Sequence, residues 1–428
     1  MSEDRTTCLI AGGGPAGIML GLLLARAGVQ VTVAEKHGDF LRDFRGDTVH
    51  ASTLQLLDEL GLGPRFAAIP HSRLPNYRLP VGRDRSVVLG DFTRLPGRYD
   101  HIAIAPQWDL LSMLAEAAAE EPGFRLLMNA EVLGPIRSAP VRGDPVQGDG
   151  RITGARVRVD GAESVIHADL TVACDGRDSV LRDACGLQPR EFAVPYDVWW
   201  FRLSRSAVER REPPTLMPSF NRPDILLTMA HPEYYQLAYL APKGSRQRLR
   251  DEGVQSFRNR IARLRPDLAD RLDEITSLED IPLLRVRMNR LPRWDLPGLL
   301  CIGDAAHAMS PSGGVGVNLA IQDAVAAARY LAAGLLRIQT GPDHDQLRRQ
   351  LDDDLDRVRR RRQSPTAFLQ GGQRLLHATI YEPAMAGHVG GFELFGLLMR
   401  VAPWLSGPIG RLIAIGPRPE HAPGFAVR

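Results

Sequence analysis

Cysteine is scarce: four in 428 residues, with no C-x-x-C among them. That excludes a disulfide framework and the usual structural zinc spacings. Cys8, Cys174 and Cys301 lie in apolar, strand-like runs, as reduced core thiols do; Cys185 is the fourth. A reducing, cytoplasmic setting is expected. Excess charge of either sign is also missing: 53 Lys and Arg against 50 Asp and Glu leave a net +3. Nothing global therefore points to nucleic acid or an anionic membrane. No internal repeat of solenoid or propeller length is present. Long uncharged runs are rare. The most conspicuous, residues 8–25, holds five glycines and Pro15 and follows Ser2, Glu3, Asp4 and Arg5 rather than a basic segment. It reads as strand, turn and helix, not as a signal peptide or membrane span.

What is present is an ordinary globular composition, 44% apolar and 24% charged, in a chain long enough for two or three lobes. "CLIAGGGPAGIMLGLLLARAGVQVTVAEK" parses as a buried strand, a glycine-rich turn, a helix from Pro15 to Ala27 stopped by Gly28, and a second strand ending at Glu35. Gly12, Gly14 and Gly17 fit G-x-G-x-x-G, and Glu35 stands 23 residues after Gly12. Strand, helix and acid together make this a dinucleotide fingerprint. Gly12 permits the turn, Gly14 lets a pyrophosphate approach, and Gly17 brings helix and strand close. Glu35 suits ribose hydroxyls and disfavours a 2′-phosphate.

A second glycine-rich loop occurs in "CIGDAAHAMSPSGGVGVNLAIQDA", residues 301–324. No strand ending in an acid follows its helix, so no second βαβ unit exists. Asp304 closes an apolar strand, and a carboxylate there suits sugar or ribityl hydroxyls. The helix N-terminus behind Gly313, Gly314 and Gly316 suits a group that becomes anionic, such as a reduced isoalloxazine. The two loops are thus expected to grip one ligand, FAD.

Elsewhere a helix is predicted from Ser52 to Leu60, capped by Ser52 or Thr53. Residues 134–150 suggest an exposed hairpin loop. Residues 191–290 are strand-like and carry most of the Trp and Tyr. The predicted class is α/β: a Rossmann-like FAD-binding domain (1–73, 105–185 and 291–365) interleaved with a β-rich substrate domain (74–104 and 186–290), then a C-terminal helical segment (366–428).

With "GGGPAG" (12–17), "CDGRDSVLR" (174–182) and "GDAAHAMSPSGGVGVN" (303–318) in this order, the chain resembles the class A flavin-dependent aromatic hydroxylases, which share the p-hydroxybenzoate hydroxylase fold. The likeness spans roughly residues 5–365 and implies an FAD-dependent monooxygenase. Such an enzyme uses NADH or NADPH, bound transiently, and O2 to hydroxylate an aromatic or polyketide-like small molecule through a flavin C4a-hydroperoxide. A reductase, an oxidase or a ring-modifying oxygenase of the same fold is the alternative, ahead of a non-catalytic FAD-fold binding protein. The implied cofactor set is Gly12, Gly14, Pro15, Ala16, Gly17, Glu35 and Lys36 at the ADP end. Arg45 is implied near the flavin and pyrophosphate, Gln107 in contact with FAD, and Asp175, with Gly176 and Arg177, in a shared motif associated with both FAD and NAD(P)H handling. Asp304, Pro311, Gly314, Gly316, Val317 and Asn318 complete the set at the flavin end. The prototype's Ser, Arg and Tyr substrate set has no match here, which argues against p-hydroxybenzoate itself, and no W-x-W-x-I-P halogenase signature is present.

Candidates for the substrate pocket are Trp199, Trp200, Tyr234, Tyr235, Tyr239 and Pro311. Alternation puts Trp199 and Trp200 on opposite faces, so at most one enters the pocket. His50 and His307 are acid/base candidates, with a hydrogen-bonded structural role as the competing reading; no catalytic base is assigned. "LDDDLDRVRRRR" (351–362) reads as an amphipathic helix with Asp353–Arg357 and Asp356–Arg360 pairs, with Leu351, Leu355 and Val358 on one face and Pro365 as its limit. No metal site is expected. The apolar tail 390–416 is expected to pack on the FAD lobe or form a homodimer patch rather than touch a membrane.

Overall fold

The computed structural model describes residues 3–41, 48–80, 86–139, 150–212, 214–342, 344–388 and 390–428. The strand Glu3–Ala11 runs parallel to Ala162–Ala173 on one side and to Val31–Ala34 on the other. Phe124–Leu127 extends the sheet beyond Val31–Ala34, and Leu299–Cys301 extends it beyond Ala162–Ala173, both in parallel. The central strands are buried where they cross the core, over residues 6–11, 31–34 and 168–173, while the first three residues of Glu3–Ala11 are exposed. Helices Pro15–Arg26, Gln107–Ala119 and Val315–Thr340 belong to the same core, in which Ile18, Leu22, Leu114, Ile321 and Val325 are buried. Helix and loop 312–340 is long and apolar enough to cross a bilayer, but 78% of its apolar window is buried inside the fold.

A second, five-stranded antiparallel sheet runs in the order Leu216–Asn221, Asp224–Ala230, Tyr234–Pro242, Tyr196–Ser204 and Leu283–Leu284. Its alternation sorts its side chains cleanly. Trp199, Phe201, Leu203, Leu226, Leu237 and Tyr239 pack with Phe257 and Ile261 of helix Arg246–Leu264. Tyr196, Val198, Trp200, Ile225, Met229 and Leu240 face the opposite way.

Several local expectations need correction. The second helix of the chain begins at Ala51, with His50 rather than Ser52 or Thr53 as its N-cap residue. The helix His344–Leu376 runs straight through Pro365. Leu351, Leu355 and Val358 do share its buried face. Asp354, not Asp353, pairs with Arg357 (2.8 Å), while Asp356 does pair with Arg360 (2.5 Å). Arg362 in the same run is fully buried: its Nε meets Asp323 at 3.1 Å and its Nη1 lies 3.5 Å from Glu420. Buried Thr366 donates from Oγ1 to Arg362 O (3.0 Å). Packing on this side outweighs the ~3 kcal/mol that an interior proline ordinarily costs a helix. Strands Ala130–Arg137 and Ile152–Val159 pair as an antiparallel hairpin; the expected loop between them lies largely outside the described residues. The helix Ser406–Ala414 closes on the strand hairpin Asn76–Pro80/Ser86–Asp91, where Gly410 abuts the Asp91 backbone.

Candidate functional site

Between the two sheets lies one cavity of about 1350 Å³. That exceeds the several hundred Å³ of a typical single-ligand pocket. Both glycine-rich loops open onto it. In the first, a Cβ at Gly12, which has φ +102°, would strike Cys174 O, and one at Gly17 would strike Gly12 O. Strand end and helix start are thus pressed backbone to backbone. Gly14 has no atom within 4 Å of where a Cβ would stand, which leaves room for a ligand at the helix terminus. No side chain caps helix Pro15–Arg26, so its first N–H groups keep their capacity to bind an anion. Glu35 accepts from Gly13 N (2.7 Å) and His37 N (3.0 Å), bracing the loop as well as facing the cavity.

In the second loop Gly313 and Gly314 are both left-handed, at φ +81° and +63°. A Cβ at Gly314 would overlap Thr48 Oγ1. Helix Val315–Thr340 likewise lacks a side-chain cap, and Val315, Gly316 and Val317 of its first turn line the cavity. Asp304 carries an ion pair from its Oδ2 to Arg177 Nε at 3.2 Å, joining the second motif to the third. Asp175 accepts from Leu181 N (3.4 Å), but its buried Oδ1 has no partner. Burial pushes its pKa above the ordinary carboxylate value.

Of the sequence-predicted cofactor residues, Gly12, Gly14, Pro15, Ala16, Glu35, Lys36, Gln107, Asp175, Asp304, Pro311, Gly314, Gly316 and Val317 line this one cavity. Gly17 and the Asn318 side chain do not; they sit behind its wall. Asn318 Oδ1 accepts from His50 N (2.9 Å) and Thr53 Oγ1 (2.8 Å), and its Nδ2 donates to Thr48 O and Gly314 O. Arg45 lies outside the described residues.

The aromatic candidates divide. Trp200 and Pro311 line the cavity; Trp199, Tyr234, Tyr235 and Tyr239 do not. Trp199 packs against Phe257, and Tyr239 donates to Asp224 (2.5 Å). Tyr235 lies beneath Arg205 and Arg265, and Tyr234 stacks on His231 and Arg202. Neither histidine faces the cavity. His307 Nε2 is bound to buried Asp323 (2.6 Å), and His50 Nδ1 to Ile413 O (2.8 Å). Burial holds the His50 pKa down at about 4.

Sequence reasoning missed a polar cluster at the cavity's second-loop end. Tyr196 OH lies 2.8 Å from Ser310 Oγ and 2.7 Å from Ser312 Oγ, and Ser310 Oγ lies 3.0 Å from His377 Nε2. Gln373 Nε2 donates to Ser310 O and Ser312 O, both at 2.8 Å. His377 opens a single π-helical turn, His377–Tyr381, an irregularity common at functional sites. The cluster orients hydroxyl groups beside Pro311, where they can hold a polar ligand atom or pass a proton. The only available signal was the odd-even alternation of strand Tyr196–Ser204, which groups Tyr196 with Trp200.

These features fit FAD: two uncapped helix termini, an orphaned carboxylate oxygen, a cradle at Gly14, and enough room. Gly14 and the terminus of helix Pro15–Arg26 would hold the pyrophosphate, and Glu35 the adenosine ribose. Asp304 and Asp175 would take ribityl or ribose hydroxyls, with the 314–317 backbone at the ring. When bound, FAD supplies the redox chemistry; the chain's own residues bind, orient and exclude water.

Comparison with known proteins gives the same answer. The FAD binding domain family matches residues 5–341. The 6-methylpretetramide 4-monooxygenase of Streptomyces rimosus is 35% identical over 339 residues, which are 78% of this chain and 77% of that protein. A protoasukamycin 4-monooxygenase of Streptomyces nodosus subsp. asukaensis is 26% identical over 78% of this chain and 81% of its own length. The solved structure of OxyS anhydrotetracycline hydroxylase from Streptomyces rimosus superposes with a TM-score of 0.70, at 22% identity, covering 96% of this chain and 76% of that one. The family match covers both glycine-rich loops and the sheet between them, and with it the chain belongs to the FAD binding domain family as an FAD-dependent oxidoreductase of the monooxygenase kind.

Proposed function

We propose that this protein hydroxylates a polycyclic aromatic or polyketide-derived small molecule, using O2 and a nicotinamide dinucleotide as reductant. The observation that carries this reading is the cavity face of the second sheet. Val198, Trp200, Ile225, Met229 and Leu240 present an apolar wall across the chamber from the 310–317 loop. Leu412 and Ile413 of the C-terminal helix and Leu79 and Leu89 of the small hairpin add to it. A broad apolar wall suits a fused-ring ligand, and the Tyr196–Ser310–Ser312 hydroxyls supply the few placed polar contacts such a site needs. The apolar wall also limits the access of water to groups held against it. The relatives named for pretetramide and anhydrotetracycline substrates support the same class.

The test follows dinucleotide oxidation and oxygen uptake of the holoprotein across a panel of fused-ring phenols, with isotopically labelled O2 and mass spectrometry of products. Substrate-stimulated reduction with one labelled oxygen in the product is expected. Accelerated reduction without oxygen incorporation by any panel member would replace this reading with a reductase or an oxidase.

A further inference from the structure

The short strands Arg190–Phe192 and Met288–Arg290 pair antiparallel, and their register sets Arg190 directly opposite Arg290. Like charges at directly opposed positions repel. A third guanidinium, Arg374 of helix His344–Leu376, joins them. The three guanidinium carbons lie 5.5, 5.6 and 5.0 Å from the centroid of one ring, Phe192. Among the described residues none of the three forms an ion pair with a carboxylate; Arg290 Nη1 donates to the neutral Gln370 Oε1 (3.1 Å). The neighbouring acid, Glu191, is engaged by Arg287 (2.7 Å) and Asn289 (2.9 Å). Burial first, and then the two flanking guanidiniums, holds the Arg290 pKa below its ordinary value. Arg190 and Arg374 are exposed, so the cluster opens to solvent.

The cluster is also tied to the second loop. Gln370 Nε2 donates to Asn289 O (2.7 Å) and Ala308 O (3.1 Å). Gln373, next to Arg374, holds the carbonyls of Ser310 and Ser312. Three uncompensated cations around one aromatic ring form a polyanion site, best matched by phosphate groups. The first loop, with Glu35 behind it, is the ADP site of FAD, so the reductant's phosphates need another place. We infer that Arg190, Arg290 and Arg374 around Phe192 bind the phosphates of the nicotinamide dinucleotide that reduces this protein. The inference rests on the oxidoreductase reading above for the identity of the anion, but not for the existence of the anion site.

The experiment titrates the FAD-loaded protein with 2′,5′-ADP and with ADP by calorimetry, and measures reduction by NADH and NADPH, for wild type, Arg290→Gln, Arg374→Gln and the matching Lys variants. Each Gln variant is expected to raise the Kd of at least one nucleotide, and the KM of the corresponding dinucleotide, about tenfold. kcat should stay within about twofold and flavin content should be unchanged; the Lys variants should fall between. Unchanged Kd and KM in both Gln variants would overturn the proposal. So would a raised KM for an acidic aromatic substrate with nucleotide binding intact, since the anion would then belong to the substrate. If wild type incorporates no oxygen into any substrate while the variants still weaken nucleotide binding, the hydroxylase reading fails and this site stands.

Discussion

The two glycine-rich loops open the same kind of uncapped helix onto the same chamber, yet they are clamped by different chemistry. The first is braced by the Glu35 carboxylate, which belongs to the same βαβ unit. The second is braced by the Asn318 amide, whose partners His50 and Thr53 lie 268 and 265 residues away in sequence. A local clamp forms with its own supersecondary unit, whereas a remote one exists only once the lobe has closed. The charge differs too: a neutral amide adds nothing to the field of helix Val315–Thr340, leaving the dipole available to an anionic ligand group. The glycines also answer to different neighbours. At Gly12 and Gly17 the close atoms are backbone; at Gly314 they belong to a threonine side chain.

Substitution at these glycines tests that difference. Gly17→Ala is expected to have the largest effect, because neither Gly12 O nor the helix can move without unmaking the turn. Little soluble flavoprotein should be recovered, judged by flavin absorbance per mole of purified chain; normal flavin content would show that the backbone contact is not obligatory. Gly314→Ala should cost less, about 2–3 kcal/mol in chemical denaturation. Adding Thr48→Ala should recover part of that loss, leaving the ~1–2 kcal/mol penalty of a left-handed alanine. A double variant no better than the single would mean that the side chain is not what Gly314 avoids.

The smallest effect is expected from pH. The folded pKa of His50, about 4, lies below its ordinary 6.5 because burial disfavours the imidazolium. Between those values the unfolded chain binds a proton that the folded chain does not, so the contribution is full above pH 6.5 and falls as pH drops towards 4. His377 is held at about 4 for the same reason and adds to the trend. Replacing His50 with Gln should leave a shallower fall in the thermal midpoint across that window. An unchanged slope would remove His50 as a contributor.

The first glycine-rich loop was the most legible part of the molecule, because one short stretch carries the strand, the glycines and the acid, and their spacing is dictated by contact geometry. Asp304 and the 313–317 loop were legible through the absence of a following strand. The polar cluster was not. Tyr196, Ser310 and His377 converge from three distant elements, and none sits in a pattern that local periodicity marks. Trp199 and Trp200 show the intermediate case: alternation says that they part, but only the position of helix Arg246–Leu264 says which one faces the chamber. Pro365 misled because the local cost of a proline was read without the tertiary packing that offsets it.

One consequence of the buried charge network concerns the order of synthesis. Asp323, fully buried, binds His307 and Arg362, and Arg362 comes 39 residues later in the chain. Glu420, which faces Arg361 and Arg362, comes 58 residues after Arg362. A chain growing from its N-terminus can complete the first βαβ unit early. The lobe around helix Val315–Thr340 stays one counter-charge short until residue 420 has left the ribosome. The buried pairing of Arg362 with Glu420 can therefore form only after residue 420 has emerged, while the first loop can form as soon as its own strand, turn and helix have emerged.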